Sequence, residues 1–256
     1  MPKKDSEHQP YLNIFDQMGE DWKTIVDARE TPRETNLVEH VLPKKGLTLD
    51  LCCGTGRHSI ILRRKGWNMI GLDLSRNLLA IAKRNMTNEC VEVPLVRAEM
   101  RFFPFRDQVL DAVICMYTSF GYLPSEADEV KSFREVRRTL RKNGRFLLDV
   151  ANKKHVINVF RENDCAEYGP FYMREKRSLD LQQSRLMSQW TIIKKDTGES
   201  RTLLHNVRLY SLQRLKQMLS EAELSVIEVY GGYDGKKFSS DSSRMIINAQ
   251  KTSKIS

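Results

Sequence analysis

Asp50-Leu-Cys-Cys-Gly-Thr-Gly-Arg-His58 is the stretch whose reading decides the fold. Before it, Gly46-Leu-Thr-Leu49 is apolar and β-branched and predicts a short buried strand; after it, Ser59-Ile-Ile-Leu-Arg-Arg64 opens a helix. Gly54 and Gly56 carry no Cβ, so a tight turn joins the two and a ligand can lie against the backbone at the amino end of the helix. Two familiar nucleotide loops fail here. The dinucleotide fingerprint needs glycine where Cys52 and Arg57 stand, and no Gly-Lys-Ser or Gly-Lys-Thr follows to cradle a triphosphate.

Outward from this turn the pattern alternates strand and helix. Asn68-Met-Ile-Gly-Leu-Asp73 reads as a second strand ending in an acid, and Ser75 caps the helix behind it, whose apolar face is Leu78, Leu79, Ile81 and Ala82. An acid about twenty residues past a glycine turn is where ribose hydroxyls are gripped, because a carboxylate accepts two hydrogen bonds from a cis-diol. Asp73 is the candidate for that role. Val91–Arg97 and Val109–Met116 predict the third and fourth strands, Glu126–Leu140 a helix stopped by Asn143-Gly144, and Arg145–Val150 the fifth strand. Leu212–Glu221, capped by Ser211, is the next helix; Leu224–Tyr230 and Met245–Lys251 are the sixth and seventh strands.

Between the fifth strand and the helix at Leu212 the period changes to two. Phe171–Leu181, Arg185–Lys195 and Arg201–Leu209 read as an antiparallel sheet with a turn at Asp196-Thr-Gly198. Inserted there it would lie over the crevice at the carboxyl ends of the main strands as a substrate lid. Upstream, residues 1–9 read as disordered, and Tyr11, Ile14, Phe15 and Met18, then Leu37, Val38, Val41 and Leu42, recur at helical spacing.

The chain has 256 residues, 40% hydrophobic and 29% charged, enough for one α/β domain with an elaboration. No stretch is long and apolar enough to span a bilayer and no signal peptide is read; five cysteines form neither a metal-ligand spacing nor a disulfide framework, so no metal is expected and the cytoplasm is the expected compartment. The formal charge of +9 fits either an anionic partner or a basic, generic surface. Arg134, Arg137, Arg138 and Arg141 follow helical spacing without interleaved aromatics, which favours a solvated helix face over a single-strand groove.

Leu49-Asp50-Leu51-Cys52-Cys53-Gly54-Thr55-Gly56 resembles the first motif of the class I S-adenosylmethionine-dependent methyltransferases. The resemblance extends over about residues 37–251 and implies a Rossmann-like seven-stranded α/β sheet, its last strand antiparallel, with helices on both faces. The implied division is a tail with lid helices (1–36), a cofactor-binding domain (37–152 and 210–251), the antiparallel insertion (153–209) and a short tail (252–256). The implied cofactor is S-adenosyl-L-methionine, leaving as S-adenosyl-L-homocysteine. Its expected contacts are Asp50, Cys52, Gly54, Gly56 and His58 in the turn, Asp73 and Leu74 after the second strand, and Glu99 and Met100 at the adenine. Cys115 and Met116 are implied beside the methionyl part.

Cys115-Met-x-x-Ser-x-Gly121 looks like the corresponding segment of the sugar-amine N,N-dimethyltransferases, in which a histidine often follows; here Tyr122 stands there. No Asn-Pro-Pro-Tyr or Asp-Pro-Pro-Tyr follows the fourth strand and no Pro-Cys pair occurs, which argues against methylation of nucleic-acid base amines or of pyrimidine C5. Tyr122, Tyr117 and His205 are the candidate catalytic residues, Arg208 and Tyr210 the candidate substrate contacts. Arg208, like Arg244 and Asp241, reads equally as a structural brace. The sequence predicts a methyltransferase acting on a small molecule, most plausibly an amine, as a monomer or homodimer without nucleic-acid or membrane partners. The alternatives are an RNA (tRNA base) methyltransferase and a cofactor-binding protein without transferase activity.

Overall fold

A computed structural model of the chain describes residues 10–25, 30–42 and 46–252. The expected disorder of residues 1–9 falls outside them. The helices are α1 (Pro10–Met18), α2 (Trp22–Ile25), α3 (Thr31–Val41), α4 (Arg57–Arg64), α5 (Arg76–Asn88), α6 (Glu126–Thr139), α7 (Lys153–Asn158) and α8 (Leu212–Glu221). The strands of the main sheet are β1 (Leu47–Leu51), β2 (Asn68–Asp73), β3 (Leu95–Arg97), β4 (Leu110–Cys115), β5 (Leu140–Ala151), β10 (Leu224–Tyr230) and β11 (Arg244–Lys251). β6 (Asn163–Tyr168), β7 (Phe171–Asp180), β8 (Arg185–Lys194) and β9 (Ser200–Arg208) form the second sheet.

The seven strands run in the order β10-β11-β5-β4-β1-β2-β3, and β11 alone pairs antiparallel with both neighbours. Such strands are near-continuous apolar runs because both faces are covered. In β4 the alternation is visible: Val113 joins a core with Phe133, Val136, Leu215 and Met218 of α6 and α8, while Ala112 and Ile114 join a second core with Leu37, Ile60 and Ala82 of α3, α4 and α5. Both predicted serine caps are in place, Ser75 Oγ accepting from Leu78 N–H at 3.0 Å and Ser211 Oγ from Arg214 N–H at 3.2 Å. Each contributes about 1 kcal/mol to its helix.

Two predicted boundaries move. β3 starts at Leu95 rather than Val91, because Pro94 has no N–H to offer and contributes only its carbonyl, to Gly71 N–H at 2.9 Å. Asn143-Gly144 does not end a helix: α6 stops at Thr139, and the segment bulges between the pairs Leu110↔Leu140 and Ala112↔Arg145, with Asn143 at φ 64°.

The antiparallel sheet has a fourth strand, β6, which the sequence pattern did not reveal. Its inner face packs Phe171, Met173, Ile192 and Leu203 against Ile14 and Met18 of α1. Arg201 also donates to the Gln17 carbonyl at 2.9 Å and pairs with Asp21. The amino-terminal helix and the insertion therefore form one layer, attached to the start of α5 by Asn77 Nδ2 on the Asp16 carbonyl at 3.3 Å and by Ser75 on Asp16. Phe15, Trp190 and His205 of that layer line a cavity with Cys52 after β1 and Met116 after β4, and Phe15 lines a second with Asp73 at the end of β2.

Candidate active site

The glycine turn is built from left-handed residues. Cys52, Gly54 and Gly56 have φ of 59°, 54° and 79°. Gly54 N–H donates to Asp73 Oδ2 at 2.8 Å, and Ser75 N–H donates to Oδ1 at 2.9 Å. Two backbone donors thus fix the Asp73 carboxylate, and each oxygen keeps accepting capacity for a ligand. Burial pushes this carboxyl up to about 6, against the pull of the two amides. It faces a cavity of about 90 Å³ lined also by Leu74, Leu78, Ala98, Met100 and Leu123.

The two glycines have different tasks. A Cβ on Gly54 would meet only Leu78 Cδ1, at 4.0 Å, and Gly54 lines the cavity. On Gly56 it would come within 3.0 Å of Met86 Cε and 3.3 Å of Ala82 Cβ, and Gly56 lines neither cavity. Gly56 seats α4 against α5, a packing task.

A larger cavity, about 500 Å³, runs from the same turn beneath the antiparallel sheet. Phe15, Cys52, Gly54, Ser119 and Tyr122 line both cavities, which therefore meet at these residues. At this junction the Tyr122 hydroxyl lies 2.6 Å from His205 Nε2. The Phe15 ring meets Tyr122 edge-on at 5.2 Å, and Trp190 stacks on His205 at 4.7 Å while donating Nε1–H to Glu175 Oε1 at 2.8 Å. Burial pulls the imidazole down to about 4, with Glu175 working in the opposite direction, and burial pushes the Tyr122 phenol up. At neutral pH the pair is an uncharged imidazole and a protonated phenol. His205 Nδ1 is buried and has no hydrogen-bond partner among the described residues.

Farther along the turn, Asp50 is buried and accepts from Ser59 Oγ at 2.6 Å. His58 Nε2 meets Glu34 Oε2 at 2.5 Å, and Arg57 pairs with the same oxygen while donating to Thr31 Oγ1 at 2.8 Å. Burial alone would raise Glu34, but His58 and Arg57 hold it below the ordinary carboxylate range. Past β4, Met116 and Tyr117 line the larger cavity, and Tyr117 and Thr118 take φ of 58° and 59°, a costly conformation for residues other than glycine. Asp149, fully buried at the end of β5, holds that turn: its carboxylate accepts from Tyr117 N–H at 2.8 Å and its carbonyl from Thr118 N–H at 2.9 Å. The same carboxylate accepts from Tyr233 Oη at 2.7 Å and Arg244 Nε at 2.8 Å.

Several predicted residues lie elsewhere. Glu99 lines neither cavity; its oxygens accept from Arg101 N–H at 3.1 Å and Arg101 Nε at 2.7 Å, and Arg101 continues to Asp128 at 3.1 Å. Cys115 is buried behind Cys52, whose thiol is pushed well up by contact with Cys115 and then by burial. Arg208 and Tyr210 do not reach the cavity either. Arg208 approaches the buried Glu129 at 3.5 Å and donates to the Pro124 carbonyl at 3.3 Å, the bracing role left open for it. Tyr210 is buried against the same carboxyl, which burial raises to about 7 against Tyr210 and Arg208. Asp241 is exposed, 3.6 Å from Lys154.

Residues 48–144 match the family model for a methyltransferase domain. Across nearly its whole length, 97% of this chain and 98% of the relative, the sequence is 27% identical to YqeM of Bacillus subtilis (strain 168), which is provisionally named a methyltransferase. The chain carries a methyltransferase domain on the class I fold and is an S-adenosylmethionine-dependent methyltransferase. It is also 34% identical over 160 residues to the glycine/sarcosine N-methyltransferase of Parasynechococcus marenigrum (strain WH8102), covering 60% of this chain and 55% of that one. The fold is similar to that of the CcbJ methyltransferase from Streptomyces caelestis, with a TM-score of 0.82 at 16% identity over 96% of this chain and 99% of that one.

Sequence reasoning missed Arg57, which lines the larger cavity, and Asp149 and Tyr233, which stand behind the Tyr117 turn and Arg244 that line it. Arg57 stood inside the decisive stretch but entered only as a failed glycine position. Asp149 and Tyr233 carried no local signal, since one ends an apolar strand and the other begins a turn-rich loop. Arg244 was noted at the head of the last strand, and its partner is Asp149 rather than anything nearby in sequence.

Proposed function

We propose that this methyltransferase methylates a small-molecule amine held in the larger cavity, with the cofactor spanning the smaller cavity and the glycine turn. Bound S-adenosylmethionine supplies a methyl group already activated on a sulfonium sulfur, so the protein's task is alignment and exclusion of water. Asp73 would accept the ribose hydroxyls, Leu74, Ala98 and Met100 would enclose the adenine, and Asp50, Cys52, Gly54, His58 and Met116 would surround the methionyl end. The fit rests on two features: an aspartate fixed by backbone donors with accepting capacity to spare, and a glycine whose missing Cβ opens onto the cavity.

The observation that carries the acceptor reading is the Tyr122–His205 pair, 2.6 Å apart where the cavities meet. An imidazole held near 4 is a hydrogen-bond acceptor and a poor proton sink. The pair therefore orients an amine N–H and leaves the nitrogen lone pair free to face the methyl group, while burial in the closed cavity disfavours an ammonium. The partial identity to a glycine/sarcosine N-methyltransferase supports nitrogen as the acceptor atom. The basic helix offers less to RNA than its composition suggested, since Arg137, Arg138 and Arg141 pair with Glu223, Glu135 and Asp111. Transfer of labelled methyl from S-adenosylmethionine to a panel of small primary and secondary amines tests this, with mass spectrometry placing the label on nitrogen. Label on tRNA instead, or on no amine while the cofactor binds, contradicts it.

A further inference from the structure

Two guanidinium groups face the larger cavity with their carboxylate partners placed behind them. Arg57 and Arg244 both line it, whereas Glu34 and Asp149 are fully buried and do not. Both guanidiniums lie over the ring of Tyr117, Arg57 at 4.9 Å and Arg244 at 5.7 Å from its centroid. Among the described residues, Arg57 spends only Nη1 on Glu34 and Thr31. Arg244 engages Asp149 through Nε and Nη2, and its side chain is 18% exposed. The Tyr117 turn that brings the ring to them is held in a left-handed conformation by the same Asp149. A molecule in the cavity thus meets guanidinium N–H groups while the compensating charges are screened from it by the arginines themselves.

Neither arginine is needed for the Tyr122–His205 pair, and desolvated guanidiniums at a concave surface are suited to carboxylate or phosphate oxygens. We infer that the acceptor carries an anionic group, a carboxylate or a phosphate, seated on Arg57 and Arg244 beside Tyr117. The acceptor is then a compound, zwitterionic in water, whose amine faces Tyr122 after giving up its ammonium proton to solvent and whose anion faces the arginines. This rests on the larger cavity being the acceptor site.

The test is equilibrium binding to the S-adenosylhomocysteine complex of the full chain, using glycine, O-phosphoethanolamine, ethanolamine and acetate. The inference expects glycine or O-phosphoethanolamine to bind at least about tenfold more tightly than ethanolamine, the tighter of the two identifying the anion. Arg244→Gln should erase that difference; should it fail to fold, Arg57→Gln should do the same. Ethanolamine binding as tightly as the anions overturns the inference and leaves the amine reading standing. Acetate binding as tightly as glycine keeps the anion site and removes the amine. Binding of none of the four overturns the inference. If either variant weakens S-adenosylhomocysteine but spares 5′-methylthioadenosine, which lacks the amino-acid end, the arginines serve the cofactor's own carboxylate and the inference also falls.

Discussion

The two cavities that meet at Tyr122 are built by different means. The smaller one is made of backbone and near neighbours: Gly54 N–H and Ser75 N–H on Asp73, and a glycine that leaves room beside Leu78. The larger one is made of side chains from distant parts of the chain. Tyr122 meets His205 across the insertion, Arg57 meets Glu34 from α3, and Arg244 meets Asp149 from β5. A backbone-built site depends on turn geometry and tolerates variation in the residues around it, whereas a side-chain site changes character with each substitution. Under the proposed function this separates a fixed cofactor half from an adjustable acceptor half.

Asp73→Ala should break the cofactor half most severely. A charged acceptor of two hydroxyl hydrogen bonds is worth about 1.5 to 3 kcal/mol, so calorimetry should show S-adenosylhomocysteine binding weakened by about 10- to 150-fold. Unchanged affinity would remove Asp73 from the ribose.

A gentler perturbation of the same group is pH. Because burial raises Asp73 to about 6, the carboxylate is ionised and accepting above that value and protonated below it. Cofactor affinity should be flat from pH 8 to 7 and fall on acidification through 6, by about tenfold at pH 5, and Asp73→Asn should flatten the profile. An acid limb that persists in Asp73→Asn would assign the titration to another group.

The same division explains what could be read from the sequence. The main sheet was legible because strands covered on both faces are continuous apolar runs, and Ser75 and Ser211 cap helices by a purely local bond. The place of Asp73, at the end of β2 beside the glycine turn, was legible for the same reason. β6 was not, since five of the six residues of Asn163-Asp-Cys-Ala-Glu-Tyr168 are exposed and bear no apolar alternation. Asn143-Gly144 looked like a helix stop because a bulge uses the same left-handed residue. Glu99 was placed on the adenine by resemblance, while in this chain Arg101, two residues on, claims both its oxygens. Arg208 and Tyr210 have residue types suited to substrate contact, but they face Glu129 inside the protein, and side-chain direction is set by sheet packing that spacing cannot report.

The most direct test of the account is Tyr122→Phe, assayed for both halves in one preparation. The ring and its contact with Phe15 remain, and only the hydroxyl on His205 is lost. S-adenosylhomocysteine affinity should stay within about twofold of the parent while methyl transfer falls by about tenfold, the value of one orienting hydrogen bond. Transfer at the parent rate, or cofactor affinity falling in step with transfer, would contradict it.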